Sequence, residues 1–148
     1  MEKYHTQWAA QFYAAAELSR RGYTVSFTLG NAKGTDLYVE SPNRKCFSVE
    51  VKGAKTKSGW YVKESQSPGA DFFILVYVPV GDESPPPQFF VLTRRETENL
   101  VKQDVPKYME KHDGVSREEA KKKVQTGVSW KDATAPNAHK DRWNKLPP

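Results

Sequence analysis

One segment limits the architectures open to this chain. Residues 70–80, Ala-Asp-Phe-Phe-Ile-Leu-Val-Tyr-Val-Pro-Val, are almost wholly apolar and rich in β-branched and aromatic side chains. The run is far shorter than the roughly 20 residues that cross a bilayer. It reads as a strand over 71–80 at the centre of a sheet, covered on both faces. Such a strand needs neighbours on either side and a layer of structure above and below it. A length of 148 residues points to a single domain, 1–148, able to supply those layers.

The flanking pattern supplies the neighbours. Residues 4–21 form an Ala-rich helix with Trp8, Phe12 and Ala15/Ala16 on one apolar stripe, widened by Ala10, Tyr13 and Ala14 and stopped by Gly22. The spacing predicts this helix to be well buried. Strands follow over 23–29, 35–40, 46–52 and, beyond the central run, 88–92, with turn-rich connections at 30–34, 41–45 and 81–87. A helix is expected over 96–111, weakened by Pro106, and another from the Ser116/Glu119 capping box to about residue 125. The order α-β-β-β-(loop or short helix)-β-β-α-α describes an α/β domain with a mixed sheet, a core over about 4–93 and a helical C-terminal extension over about 94–148.

The second and third strands carry a chemical pattern. With the turn centred on Asn43, opposed residues have numbers that sum to 86, so Asp36 faces Glu50. Both lie on the face opposite Leu37, Val39, Val49 and Val51, and Lys52 shares that face two residues on. Directly opposed side chains have Cβ atoms about 4.5–5.5 Å apart. Two carboxylates that close repel unless a cation lies between them, and a hard divalent ion suits oxygen ligands. Asp36, Glu50 and the Val51 carbonyl would be the ligands, and Lys52 an electrostatic and water-orienting group. Phosphodiester hydrolysis uses such a set, since a metal polarises the phosphate and generates an attacking hydroxide.

Asp36, thirteen intervening residues and then Glu50-Val51-Lys52 resemble the motif of the PD-(D/E)XK nuclease superfamily, with the hairpin between the acids and a helix before them. The resemblance covers roughly residues 4–92. Thr35 stands where the superfamily's name has proline. It implies a restriction-endonuclease-like αβββαβ core, a central mixed sheet flanked by helices, and Mg²⁺-dependent hydrolysis of DNA, with Mn²⁺ as a substitute. It makes Asp36, Glu50 and Lys52 catalytic. It also makes Glu17 a further metal ligand on the first helix and Gln66 an auxiliary polar residue. The alternative on the same fold is a non-catalytic nucleic-acid-binding or protein-interaction module of the immunity type.

Other features are less specific. Lys52, Lys55, Lys57 and Lys63, with Trp60 and Tyr61 among them, make an acid-free run from 52 to 63. It reads either as a phosphate-tracking arm with a stacking aromatic or as a solvated loop whose aromatics cover the core. Residues 94–148 hold 13 Lys/Arg against 9 Asp/Glu, most of the net charge of +5. They read as exposed helix faces first and as a DNA-backbone surface second. Glu119-Ala120-Lys121 repeats the ExK pattern without an opposed acid and reads as helix surface. Trp130 and Trp143 are expected to anchor the C-terminal region. His5, His112, His139 and the lone Cys46 have no zinc spacing. One cysteine excludes an internal disulfide framework, and the opening residues lack a signal-peptide plan, so a cytosolic chain with no membrane partner is expected. DNA is favoured over RNA as the partner, and a homodimer or a second protein is the expected source of specificity.

Overall fold

The computed structural model describes residues 2–64 and 69–148. Helix α1 (Lys3–Arg20) leads into three antiparallel strands, β1 (Thr24–Phe27), β2 (Leu37–Glu40) and β3 (Cys46–Ala54). A crossover carrying the short strand β4 (Gly59–Tyr61) reaches β5 (Phe72–Tyr77), which runs parallel to β3. Strand β6 (Gln88–Thr93) turns back antiparallel beside β5. The main sheet therefore has five strands in the order β1-β2-β3-β5-β6. Then come α2 (Arg94–Val101), α3 (Asp104–Lys111), α4 (Arg117–Lys123), β7 (Gly127–Ser129), α5 (Trp130–Ala133) and a 3-10 turn at Trp143–Lys145. Among the described residues no helix is long and apolar enough to cross a membrane.

The apolar run is the doubly covered strand its composition requires. Alternate side chains of β5 enter two cores: Ile74 and Val76 one, Phe73 and Leu75 the other. The first core lies beneath α1. There Ala10, Ala14 and Leu18 meet Leu37, Val39, Val49 and Val51, and the tail adds Trp143 and Leu146. The second core is closed by the β4/β7 ribbon, α2 and α5 through Trp60, Val62, Val101, Val128 and Ala133. This second layer covers β5 and β6 but stops short of β3, whose Ser48, Glu50 and Lys52 remain half-buried.

The buried stripe of α1 is not the expected one. Phe12 is 58% exposed, Tyr13 43%, and Ala16 is exposed too, whereas Ala10, Ala14 and Ala15 are buried as expected. Close approach to β3 decides this. A Cβ built on Gly53 would lie 2.7 Å from the Thr6 carbonyl oxygen and 2.8 Å from the Ala10 Cβ, so only small side chains fit between helix and strand.

Three further expectations are corrected. No helix fills the described part of the β3–β5 crossover; β4 stands there, and α2, later in the chain, takes over the covering of that face. The helix expected over 96–111 is two helices. Pro106 sits in the first turn of α3, where its missing N–H leaves no bond unmade, and α2 starts earlier on a Thr93/Glu96 capping box. Residues 94–148 are woven into the domain rather than appended as a helical extension. Strand β7 pairs with β4, and the Val91 N–H donates to the His139 carbonyl while the Asp141 N–H donates to that of Phe89, covering the outer edge of β6.

The tail is locked by Lys145. Its ammonium donates to both oxygens of Glu96 (3.0 and 2.9 Å), to the Val91 carbonyl (3.0 Å) and to Nδ1 of His139 (3.0 Å). A ring that accepts at Nδ1 is neutral with its proton on Nε2. Burial and the neighbouring Lys145 hold His139 below the usual imidazole range, against the opposing pull of Glu96 and Asp132. Burial works to raise the Glu96 carboxyl, but the Thr93 N–H and Lys145 outweigh it and lower it.

Two predictions follow from this packing. Gly53→Ala should cost about 1–3 kcal/mol of stability through overpacking against α1, read as a lowered urea midpoint. A neutral histidine stabilises fully above its unfolded pKa of about 6.5 and progressively less as pH falls below it. Glu96, also lowered, acts in the same direction at lower pH. Wild-type protein should therefore lose Tm between about pH 7.5 and about pH 5, and His139→Gln, which can still accept from Lys145, should flatten that loss. An unchanged slope in the variant would contradict the assignment.

Candidate metal and phosphodiester site

The hairpin register is the expected one: Leu37 pairs with Val49, Tyr38 with Ser48, Val39 with Phe47 and Glu40 with Cys46. The ladder stops at Leu37: the Asp36 N–H donates to the Val49 carbonyl at 2.9 Å, one residue short of the Glu50 that the register would set opposite it, so the expected Asp36–Glu50 pair is displaced by this slip. There the two chains part. The loop before Asp36 is held to β1 instead, with the Thr28 hydroxyl donating to the Thr35 carbonyl at 2.8 Å. Strand β3 runs on to Ala54, so Val51 and Gly53 present backbone groups with no strand beside them on that edge.

Side chains close this edge. The Asp36 carboxylate accepts the Val51 N–H through Oδ2 at 2.8 Å. The Gln7 amide donates to the Val51 carbonyl at 2.7 Å and accepts the Gly53 N–H at 3.1 Å, as a strand residue would. Gln11, one turn along α1, donates to Asp36 Oδ1 at 3.3 Å. Asp36 is thus oriented by two donors from two different elements. Glu50 and Lys52 project together from the other face of β3, with Nζ 2.7 Å from Oε1. The second Glu50 oxygen faces Gly34, where an added Cβ would stand 3.9 Å away and where φ is +69°.

Burial pushes the Asp36 carboxyl above the ordinary carboxylate range, and the charge of Glu50 adds to the rise. The Val51 N–H and Lys52 act in the opposite direction. Two acids within electrostatic reach, one of them poorly solvated, favour a cation between them. Among the described residues no group of three or more His, Cys, Asp and Glu side chains is placed to hold a metal ion. The available donors are therefore Asp36, Glu50 and the Val51 carbonyl. Each keeps unused lone pairs beside its present hydrogen bonds. All three are oxygen donors, the ligand type that Mg²⁺ takes while retaining several waters.

The other expected residues are scattered. Glu17 does not join the acid pair. Its carboxylate lies 2.9 Å from Arg20 and 3.5 Å from Arg21, about 9 Å along the helix axis from Gln11. Trp60 is not available to a ligand: it is 3% exposed and its indole N–H donates to the Val76 carbonyl at 3.1 Å. It packs in the second core with Trp130 and Phe90, so this ring covers the core. Trp130 and Trp143 are anchors as expected. Lys57 lies 5.9 Å from the Tyr77 ring and 5.5 Å from the Trp130 ring, on the same side of the sheet. Tyr61 is 64% exposed. Lys55 follows directly on β3. Lys63 lines a cavity of about 120 Å³ with Phe73, Arg94 and Lys102. Gln66 lies outside the described residues.

Gln7 and Gln11 were missed by reading for acids and bases alone. Their signal was present: two amides four residues apart share one face of a helix that is otherwise alanine and aromatic there. No family model, curated protein or solved structure matches this chain.

Asp36→Asn tests the electrostatics without removing the hydrogen bonds. The new amide can accept from Val51 and donate to a flipped Gln11. A carboxylate whose pKa is raised by folding costs stability that appears as pH rises through that pKa and is absent below the unfolded value of about 3.9. The variant should match or exceed wild-type Tm at neutral pH, and the difference should vanish near about pH 4. Calorimetry showing Asp36→Asn clearly less stable at neutral pH would refute this.

Proposed function

We propose that this chain is a cytosolic, Mg²⁺-dependent nuclease that hydrolyses phosphodiester bonds in DNA, on a restriction-endonuclease-like core of the PD-(D/E)XK type. One observation carries the reading. Where β2 and β3 part, the Asp36 carboxylate is held on the Val51 N–H, near enough to Glu50 for that charge to raise it, and Lys52 is paired with Glu50. An ordinary solvated sheet face would not need a half-buried aspartate held by two donors.

In this reading Asp36, Glu50 and the Val51 carbonyl hold Mg²⁺, or Mn²⁺ in its place. Bound there, such an ion would supply Lewis acidity and lower the pKa of a bound water. The remaining work belongs to the chain. Gln11 and the Val51 N–H fix the carboxylate of Asp36, so it does not reorient as charge develops. Gln7 holds the Val51 carbonyl in place. The Lys52 ammonium, tethered to Glu50, stands ready to orient the attacking water and to stabilise negative charge on the phosphate oxygens. Because Asp36 must be ionised to bind a cation and burial opposes this, metal affinity should rise with pH through the carboxylate range.

The test is cleavage of single-stranded, double-stranded and branched DNA, and of RNA, by purified protein with Mg²⁺, Mn²⁺ or EDTA. Metal-dependent cleavage of DNA is expected, reduced about 100-fold or more in folded Glu50→Ala and Lys52→Ala variants. Wild-type cleavage by Glu50→Ala would overturn the reading. Salt-dependent DNA binding with no cleavage would replace it with a binding module on the same fold.

A further inference from the structure

A small cavity of about 120 Å³ lies between α2 and the residues that follow β4. Val62, Phe73 and Val101, all buried, make its apolar walls. Its rim is charged, with Lys63, Arg94 and Lys102 set against Glu64 and Glu98. Arg94 is fixed there, donating to the Gly69 and Ala70 carbonyls at 2.7 and 2.9 Å and to Asp71 at 2.9 Å. Lys63 and Lys102 are exposed and make no ion pair among the described residues. The Thr97 hydroxyl in the wall donates to the Thr93 carbonyl at 3.0 Å, so toward a guest it can only accept.

The cavity lies on the side of the sheet that carries Glu50 and Lys52. In the parallel β3–β5 ladder Phe73 is the direct neighbour of Glu50, and Leu75 of Lys52. Phe73 and Glu50 share one face, since their ladder neighbours Val51 and Ile74 both enter the first core on the other. One strand spacing, about 4.8 Å, separates the two backbones. The cavity and the Glu50–Lys52 pair are therefore side by side across the sheet.

We propose that this cavity takes the base of one unpaired pyrimidine nucleotide and holds its phosphate at the Lys63 and Lys102 rim. The inference rests on the nuclease reading and narrows its substrate to DNA with a base withdrawn from the stack. Size points to one ring. A cavity of about 150 Å³ holds a single benzene, so the fused rings of a purine are too large for this one. Chemistry points to a pyrimidine. Both DNA pyrimidines offer N–H donors to Thr97 and Glu98 and a ring carbonyl to a lysine. Three cations against two acids leave the rim positive for a phosphate. A base stacked in a duplex cannot enter, and an unpaired one costs least to seat.

The experiment is an NMR titration of the full chain with dTMP, dCMP, dAMP and inorganic phosphate, in EDTA. The pyrimidine nucleotides should bind about tenfold or more tightly than dAMP. Val101→Phe, which fills the cavity, should abolish their binding. Lys63→Glu/Lys102→Glu, confined to the surface, should weaken it about tenfold. Circular dichroism melts check that both variants fold, and the surface pair decides the matter where Val101→Phe does not. Binding of dAMP as tight as that of dTMP overturns the proposal, as does a wild-type protein that binds no nucleotide or an affinity unmoved by the charge reversal. Inorganic phosphate displacing dTMP at equal concentration would assign the rim to a bare anion and overturn it too. Pyrimidine binding without any Mg²⁺-dependent DNA cleavage would sink the nuclease reading and leave the pocket standing. Cleavage of unpaired DNA with no pyrimidine preference and unchanged by the charge reversal would do the reverse.

Discussion

The seating of α1 on β3 is the constraint on which the rest depends. A glycine on the strand and alanines on the helix allow the two backbones to approach until a Cβ at Gly53 would meet the Thr6 carbonyl at 2.7 Å. At that separation the Gln7 amide can replace the missing neighbour of β3, satisfying both Val51 and Gly53. Unpaired backbone groups at a half-buried edge are costly. The Gln7 side chain removes that cost without adding a strand that would fill the site. The same approach sets Gln11 within reach of Asp36. One packing choice thus closes the sheet edge, orients the aspartate and turns the bulky rings of α1 outward.

The second constraint is the incompleteness of the layer on the opposite face. The β4/β7 ribbon and α2 cover β5 and β6 and end before β3. Full burial of Glu50 and Lys52 would make the pair a desolvation burden with little net benefit. Full exposure would leave Asp36 an ordinary surface acid. The observed half-burial keeps both acids in contact with solvent and still shifts Asp36 upward. It also explains the long crossover: β4 has to reach Val128 across the sheet, and its Trp60 fills the second core in place of a helix.

Legibility in the sequence followed interaction range. The hairpin register was readable because a period of two and a local turn leave one pairing that buries Leu37, Val39, Val49 and Val51 together. The register did not carry on to Asp36, whose N–H bonds to Val49 and not to Glu50, because the Val51 N–H and Gln11 draw its carboxylate to the open edge of β3. The doubly covered β5 was readable from composition alone. What failed depended on non-local geometry. Apolarity marked Trp8, Phe12 and Trp60 alike, but which of them is buried depends on the closeness of α1 to β3 and on a three-residue pairing between β4 and β7, whose partners are 66 to 70 positions apart. Pro106 was read as weakening a helix; its place in a first turn shows only once the break at Lys102 and Gln103 is known. The Thr93/Glu96 capping box was a local signal that the pattern of charges around it obscured.

The charge count at the site bears on the order of events under the proposed function. Asp36, Glu50 and Lys52 together carry a formal charge of −1. Lys52 is committed to Glu50 at 2.7 Å, so the uncompensated charge is that of Asp36, the less solvated acid. A phosphodiester approaching this arrangement meets a like charge in a partly desolvated pocket, where repulsion is stronger than in water. One divalent cation turns −1 into +1 and the repulsion into attraction. Under the proposed function, DNA would therefore bind productively only after the ion.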